Sequence, residues 1–492
     1  MHALITLFSD RRTLRALTAG CVALAVGGVV LLRAPRSSTA TPTPASGPAS
    51  STALESRPLG AAPRATFRGP GLHGSVALSQ GSVTDGVSQV YAEVRVAADE
   101  AAGAEPRPVA FAMVLDVSGS MSGDKIAQAR QSVLDVVARM RDNDQIALVT
   151  YSDAARVVQP MARVGSVRQQ LQMVVPTLGI EGGTNIPAGL SAGVAAASEA
   201  PSTHVRRVVL ISDGRDGSGL SLEQIAQDAR TRADRGVTLS SLGIGADYDE
   251  AFMSRLADAG RGNYEFLRDG AQLRAFLARE LQQSAQTRVD LASVRLALPQ
   301  GWTLARAYGA EVSRESGGVR LPVGALYAGE ERRIVLDLRV DTAQAQRAGE
   351  GLGAMATGVS YRAAGSLAMT ALTPPTLPLA RAATSAEALA SRDESVYAEA
   401  ASTALAARQS EAVVAWREGR TQEADGIMAQ NVAQLRVLQG AAPTPARAAQ
   451  IARYDRDRAA VNTMAPGSSA GMTWGMESNV LHRRAQRSAN AY

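Results

Sequence analysis

The feature that most constrains the fold of this chain is a series of short, nearly continuous apolar runs between residues 109 and 244. The runs cover residues 109–115, 146–150, 205–211 and 237–244. Strands with apolar side chains on both faces are typical of a parallel sheet that helices cover on each side. Stretches of helical periodicity separate the runs, so the pattern predicts an α/β fold with a doubly wound, mostly parallel sheet.

The helices predicted between and after these strands complete the α/β region. They cover residues 125–140, 167–175, 187–200 and 222–235, and a further helix, strand and helix cover 250–259, 263–267 and 271–283. Apolar residues recur at helical spacing in each of these helices, which favours one buried face per helix. The region is therefore long enough for one doubly wound domain.

Segments on both sides of this region alternate apolar and polar residues instead. Residues 88–96 place valine and alanine on one face, and residues 334–340 do the same with isoleucine, leucine and valine. A period of two predicts strands with one buried and one solvated face. Because isolated strands need sheet partners, we predict that the α/β domain is inserted in, or flanked by, a β-sandwich built from both sides.

Helical signals dominate the chain after this β region. Thr384 and Glu387 form a capping-box pattern that opens an alanine-rich helix to about Trp416, and Gly419 separates it from a second helix over 422–438. The pattern predicts a C-terminal antiparallel helical hairpin, with a third helix after Pro445. The last residues lack periodicity, and we expect them to be disordered.

The N-terminal residues have the pattern of a targeting signal. Arg11, Arg12 and Arg15 precede an apolar stretch over residues 16–32, and a Pro, Ser, Thr and Ala-rich stretch follows it. This order is typical of a signal peptide or an uncleaved signal anchor with a tether outside the membrane. We therefore expect a protein of the cell envelope, membrane-anchored or secreted, whose soluble part is extracytoplasmic.

Together these signals divide the chain into seven predicted segments. They are a signal peptide or signal anchor (1–33), a Pro/Ser/Ala-rich tether (34–70), strands of the flanking sandwich (71–106), the α/β domain (107–284), the remaining β-sandwich (285–380), a helical region (381–462) and a disordered tail (463–492).

Composition excludes several classes of function. The single cysteine, Cys21, and four dispersed histidines exclude intrachain disulfides, Cys-rich zinc sites and an HExxH protease helix. Of the 51 basic residues only Lys125 is lysine, and it does not lie in a phosphate-binding GxxxxGK[ST] motif, so no nucleotide site is predicted. The net charge of +5 is spread along the chain, whereas nucleic-acid binding needs a cluster. We predict neither catalytic residues nor an enzymatic activity.

Polar residues at strand ends indicate a metal site. Asp116, Ser118 and Ser120 follow the first apolar run, Thr184 lies in a Gly-Gly-Thr-Asn segment, and Asp213 follows another run. The carboxyl ends of parallel strands meet at the ligand-binding edge of a sheet. Oxygen-only ligands suit Mg²⁺ or Mn²⁺. Two simpler interpretations stay open. Asp116 and Ser118 could serve merely as caps of the next helix, and Asn185 could cap the helix that follows it.

With the pattern DxSxS…T…D complete, residues 107–283 resemble the von Willebrand factor type A family of bacterial type. The flanking β region is similar to that of calcium-activated chloride channel regulators and inter-alpha-trypsin inhibitor heavy chains. The resemblance implies a metal-ion-dependent adhesion site in which Ser118 and Ser120 coordinate the ion directly. It also implies that Asp116, Thr184 and Asp213 bind directly or through water, and that an acidic side chain of a partner protein takes the remaining position.

The expected function is therefore protein binding through a divalent ion. The partner supplies a Glu or Asp carboxylate, and no nucleic acid or nucleotide is involved. The alternative is a non-ATPase subunit of a multi-protein enzyme such as a metal-chelatase-like complex, which requires a cytoplasmic location. A purely structural envelope protein is disfavoured because all five oxygen ligands are present. The topology of the N-terminal segment separates the first two hypotheses.

Overall fold

The structure is a computed structural model, and it begins with strands of a flanking sheet. It describes residues 61–100, 105–213, 215–245, 248–347, 349 and 351–488. The first four strands are β1 (Arg64–Gly69), β2 (Leu72–Leu78), β3 (Ser82–Val83) and β4 (Val87–Ala98). The predicted tether to residue 70 is wrong at its end, because Ala65 and Phe67 are buried in β1 and give it an inward face. Two apolar residues between arginines and glycine are too weak a pattern to predict a strand.

The predicted signal segment and residues 34–60 of the predicted tether lie outside the described residues. Within the described part, none of the helices is both long and apolar enough to span a bilayer.

The α/β region follows as one six-stranded sheet with helices on both faces. Its strands lie in the order β10-β9-β8-β5-β6-β7, parallel except for the antiparallel pair β6–β7. The elements are β5 (Val109–Asp116), α1 (Asp124–Arg139), β6 (Gln145–Tyr151), β7 (Ala155–Arg163), α2 (Val164–Val174), α3 (Ile186–Glu199), β8 (Val205–Ser212), α4 (Leu222–Ala233), β9 (Val237–Ile244), α5 (Glu250–Ala259), β10 (Arg261–Leu267) and α6 (Gly270–Ala285). The doubly wound, mostly parallel sheet is thus confirmed.

Strand β5 lies at the centre of this domain, with all eight of its residues buried. Phe111 and Met113 face a core formed with α1, α2 and α6, whereas Ala112 and Val114 face one formed with α3, α4 and α5. Helix α3 lies very close to the sheet: a Cβ atom on Gly193 would come within 2.2 Å of Cγ2 of Val114. Glycine at this position therefore permits the close approach of α3 to β5.

The second flank completes one antiparallel sheet and forms a second one by itself. Its elements are β11 (Thr287–Ala297), β12 (Trp302–Tyr308), β13 (Ser313–Glu315), β14 (Gly318–Tyr327), β15 (Glu331–Asp341), α7 (Thr342–Arg347), β16 (Ala354–Ala363), β17 (Thr370–Leu372), β18 (Leu377–Pro378) and β19 (Ala380–Arg381). One sheet has the order β1-β2-β4-β15-β12 and the other β13-β14-β11-β16-β17. Strand β4 pairs with β15 along its length, and the two sheets share one apolar core. The prediction of a sandwich built from both flanks is confirmed.

Helices form the remainder of the described chain. They are α8 (Ser385–Ala390), α9 (Glu394–Arg417), α10 (Thr421–Ala441), α11 (Pro445–Thr463) and α12 (Ser469–Arg487). Thr384 caps α8 as predicted, but the helix ends at Ala390 and α9 begins anew with Asp393 as its cap. The contacts of α9 with α10 confirm the helical hairpin, which α11 and α12 extend.

The predicted disorder of residues 463–492 is corrected, because α12 packs against the α/β domain. Met476 and Val480 join the apolar core beneath α5 and β10. Arg483 and Arg487 both form ion pairs with Asp258 of α5. The stabilising partners lie more than 200 positions away in the sequence, so no local pattern reveals this helix.

Candidate metal centre

Three loops meet at the carboxyl edge of the parallel sheet. The first leaves β5 at Asp116, the second leaves β8 just before Asp213, and the third, residues 178–185, leads into α3. Because β5 and β8 are parallel neighbours, with Leu115 paired to Ile211, the two carboxylates emerge side by side. The edge predicted from the sequence is therefore the place where these residues gather.

Hydrogen bonds connect the hydroxyl and carboxylate groups of the first two loops. The side-chain oxygens of Ser118 and Ser120 lie 3.1 Å apart, and Ser120 donates to Oδ1 of Asp213 at 2.7 Å. The backbone N–H of Ser118 donates to Oδ1 of Asp116 at 2.8 Å. Asp116, Ser118 and Asp213 are buried, whereas Ser120 is exposed. The cluster is thus open to solvent on the side of Ser120.

Asp116 is the deepest member of the cluster, with no exposed surface. Its Oδ2 accepts hydrogen bonds from Ser212 at 2.7 Å and from Tyr151 at 3.2 Å. Burial raises the pKa of Asp116, hydrogen bonds from Ser118 and Ser212 oppose that rise, and the negative charge of Asp213 adds to it. A cation between the two carboxylates would offset both the cost of burying the charge of Asp116 and its repulsion by Asp213.

Thr184 lies in the third loop, which hydrogen bonds hold against the other two. The N–H of Gly119 donates to the carbonyl of Gly182 at 3.2 Å, and the N–H of Glu181 donates to the carbonyl of Val117 at 2.7 Å. On the other side, the N–H of Gly217 donates to the carbonyl of Thr184 at 2.8 Å. The structure therefore brings Asp116, Ser118, Ser120 and Asp213 into direct contact and places Thr184 beside them.

Close backbone approach explains the glycines of the third loop. The N–H of Gly183 donates to Oδ2 of Asp153 at 3.0 Å. A Cβ atom on Gly182 or Gly183 would lie 2.3 Å from a carboxylate oxygen of Asp153. Asp216, in the loop after Asp213, accepts from the N–H of Ile186 at 3.1 Å. The loop after Asp213 is therefore bound to the start of α3.

The simpler interpretation of the first motif does not hold. Helix α1 begins after Gly123, which has φ +73° and no capping side chain, so Asp116 and Ser118 do not cap it. Ser118 precedes a 3-10 turn, again without a side-chain capping bond. Asn185, in contrast, does cap α3: its Oδ1 accepts from the N–H of Ala188 at 3.0 Å. The Asp116 and Ser118 side chains are thus left for the cluster.

Sequence reasoning missed Ser212, Tyr151 and Lys125. Ser212 and Tyr151 are the last residues of apolar strands, and their hydroxyls donate hydrogen bonds to Asp116. The ammonium of Lys125 forms an ion pair with Oδ2 of Asp213 and lies 3.4 Å from the carbonyl oxygen of Ser120. The available signal for Lys125 was its rarity, since it is the chain's single lysine.

The donor set fits a small hard cation. Two carboxylates and the hydroxyls of Ser118 and Ser120 converge, with the Thr184 loop beside them, and all of these donors are oxygen. Oxygen donors of this kind are typical of Mg²⁺ and Mn²⁺ sites. Over the described residues, no group of three or more His, Cys, Asp or Glu side chains is placed to hold a metal ion. An ion here would therefore depend on the hydroxyls as well as the carboxylates.

A doubly wound sheet with an oxygen-rich carboxyl edge defines a class of α/β ligand-binding domain. Within that class, residues 111–279 match the family model described as von Willebrand factor type A domain. The chain thus carries a domain of this family, as the sequence motif predicted.

Similar proteins agree with this assignment. Uncharacterized protein YfbK of Escherichia coli is 33% identical over 177 residues, which are 35% of this chain and 30% of YfbK. Inter-alpha-trypsin inhibitor heavy chain H2 of Sus scrofa is 30% identical over 171 residues, 32% of this chain and 18% of the heavy chain. The matched region thus spans less than a third of either relative. The predicted likeness to chloride channel regulators stays a prediction.

One solved structure shares most of the fold. The von Willebrand factor type A protein from Catenulispora acidiphila superposes with a TM-score of 0.63 at 19% identity, and the match covers 85% of this chain and 98% of that one. The shared architecture therefore extends well beyond the matched family domain.

Proposed function

We propose that this chain is a protein-binding module that uses a divalent ion to hold an acidic side chain of a partner protein. The observation that carries the proposal is the cluster in which Ser118, Ser120 and Asp213 are joined by hydrogen bonds above the buried Asp116. Domains of the von Willebrand factor type A family are generally protein-interaction modules, and this chain carries one.

The residues divide into a buried support and an open face. Ser212 and Tyr151 fix the orientation of Asp116, which would hold the ion from below together with Asp213, Ser118 and Ser120. Thr184 would complete the set from the third loop. The ion, Mg²⁺ or Mn²⁺, would supply a Lewis-acidic position that a carboxylate can fill. Gly119, Ser120, Gly182 and Gly183 are exposed, so a partner can approach from this side.

The location of the module is part of the proposal. The arginines before residues 16–32 and the proline-rich stretch after them support an extracytoplasmic domain attached to, or secreted across, the membrane. Protease treatment of intact spheroplasts tests this. We expect digestion of the domain along with periplasmic controls, whereas survival of the domain would favour the cytoplasmic alternative.

Capture of partners from an envelope extract tests the function. We expect the immobilised full-length chain to retain a partner in Mg²⁺ and to release it in a chelator. Thr184→Ala should weaken capture more than metal affinity, because two carboxylates and two serines still hold the ion while the loop that shapes the open position changes. Thr231→Ala is the matched control, because this threonine of α4 is half-buried, as Thr184 is.

The acidic residue of the partner gives a second criterion. Once the partner is identified, replacing its contacting Glu with Gln should weaken capture, because a neutral amide is a poorer ligand for a hard dication. Capture that continues undiminished in chelator would place the interaction elsewhere on the chain and contradict the proposal.

A further inference from the structure

The chain's single lysine lies at the metal centre. Of 51 basic residues, Lys125 is the one lysine, and it occupies the second position of α1. Its ammonium contacts Oδ2 of Asp213 and lies 3.4 Å from the carbonyl oxygen of Ser120. A lysine ammonium is compact and its donors rotate, whereas an arginine guanidinium is broad and planar. The contact with two oxygens in so small a space suits lysine.

The two oxygens of the Asp213 carboxylate have different partners. Oδ1 accepts from Ser120, a candidate metal ligand, while Oδ2 is paired with Lys125. Lys125 thus orients the carboxylate so that Oδ1 faces the candidate site. It does so from beside the cluster, with its own side chain about one-third exposed.

The positive charge of Lys125 affects which ligand the metal centre prefers. Asp116 and Asp213 alone would neutralise a divalent ion, which leaves an incoming carboxylate the open coordination position but no attraction from net charge. With Lys125 counted, the ion, its two carboxylate ligands and the ammonium together keep one net positive charge. We propose that Lys125 is a specificity-determining residue that makes the loaded centre select an anionic ligand. This inference rests on the proposed function and deepens it.

Other charged groups nearby do not replace this contribution. Glu181 accepts a hydrogen bond from Ser152, and Asp153 accepts one from Gly183. These carboxylates bind backbone or hydroxyl groups of the third loop and its neighbour rather than a candidate ligand. A variant at position 125 retains them both, so a difference between variants reports on the ammonium.

Two effects of opposite sign follow from removing the charge. Lys125→Met keeps the length of the side chain but removes a positive charge that repels the metal ion, so metal affinity should rise. The same change removes attraction for a carboxylate, so affinity for that ligand should fall. Since the pair is partly exposed, we expect each effect to be about threefold to tenfold. Lys125→Arg keeps the charge and should stay closer to the native chain in both measurements.

The experiment uses Mn²⁺ and acetate as probes on the full-length chain. Mn²⁺ affinity is measured by calorimetry, and acetate is then titrated while the relaxation of water protons by bound Mn²⁺ is followed. Replacement of metal-bound water by acetate lowers the relaxation enhancement. The inference predicts tighter Mn²⁺ binding and a higher acetate midpoint for Lys125→Met, with the values of Lys125→Arg between those of Lys125→Met and those of the native chain. Circular dichroism confirms that each variant is folded.

The outcomes separate this inference from the proposed function. A native chain that binds Mn²⁺ and responds to acetate supports the chemistry of the proposed function whatever the variants do. In that case, unchanged or weaker Mn²⁺ binding in Lys125→Met, or an unchanged acetate midpoint, overturns the role of Lys125. Equal affinities in Lys125→Met and Lys125→Arg also overturn the role of Lys125. The two variants differ in charge, so equal values would mean that the positive charge at this position has no effect. Failure of the native chain to bind Mn²⁺ overturns the proposed function and this inference together.

Discussion

Replacing Asp116 with Asn should have opposite effects on stability with and without metal. Among the described residues, the hydrogen-bond partners of this fully buried carboxylate are neutral groups of Ser118, Ser212 and Tyr151, and the like charge of Asp213 is close by. In chelator, an amide would remove the buried charge and still form hydrogen bonds with the hydroxyls. We expect the variant to be more stable than the native chain by about 1 kcal/mol, as is common when a strained functional group is removed.

Metal reverses the order. A ligand that binds only the folded state at a concentration of 100 times its Kd adds about 2.7 kcal/mol to the free energy of unfolding. The native chain should gain this in Mg²⁺, whereas Asp116→Asn should gain almost nothing, since a neutral amide replaces one of two carboxylates. For a domain of this size, 1 kcal/mol corresponds to a Tm change of roughly 2–4 °C.

Thermal unfolding followed by circular dichroism measures both effects. Compared with the native chain, the variant should have a Tm about 2–4 °C higher in chelator and about 3–7 °C lower in saturating Mg²⁺. Asp142→Asn is the matched control, because this highly exposed carboxylate lies at the opposite edge of the sheet, before β6. A variant that keeps the full Mg²⁺ gain, or that loses several degrees in chelator, would refute the idea that Asp116 is a buried charge stabilised by the ion.

Three further predictions test the surroundings of the site. Gly193→Ala should lower the free energy of unfolding by about 1–3 kcal/mol in chemical denaturation, because a Cβ atom would overlap β5. Burial tends to raise the pKa of Asp457, but the bond from His482 and nearby positive charges outweigh it and lower that pKa, so Asp457→Asn should cost about 2 kcal/mol at pH 7. That cost should fall as the pH drops below about 4, where Asp457 becomes protonated first in the unfolded chain and then, at lower pH, in the folded chain. Met476→Ala should destabilise α12 by about 2 kcal/mol in hydrogen exchange, whereas Met464→Ala, at a partly exposed site, should not.

Most of the fold could be predicted because its signals are local. Four of the five parallel strands, β5, β6, β8 and β9, are apolar runs in their own right, and the long sandwich strands β4 and β15 alternate within a few residues. The insertion followed from one physical requirement, that strands on the two flanks need partners, and β4 and β15 supply it to each other. Periodicity therefore determines the layers even without knowledge of the contacts.

The errors occur where distant contacts decide the structure. Strand β7 alternates poorly and contains Pro160, yet it pairs along the edge of the sheet with β6. Helix α12 has few apolar residues, and its stability comes from Met476, Val480 and ion pairs to α5 and β10. A sequence window sees neither the partner strand nor the partner helix, so local patterns predict neither element.

The same division between local and distant signals explains what was found at the site. The five candidate ligands stand at strand ends in a recognisable order, which a sequence can show. Ser212 and Tyr151, in contrast, belong to apolar strands and resemble ordinary core residues until their hydrogen bonds to Asp116 are seen.

Lys125 had a signal of another kind. In a chain whose other 50 basic residues are arginine, the residue that departs from the composition sits where a compact ammonium meets a carboxylate and a carbonyl oxygen. Rarity in composition can therefore indicate a position where the geometry of the charged group, and not its charge alone, determines the choice of residue.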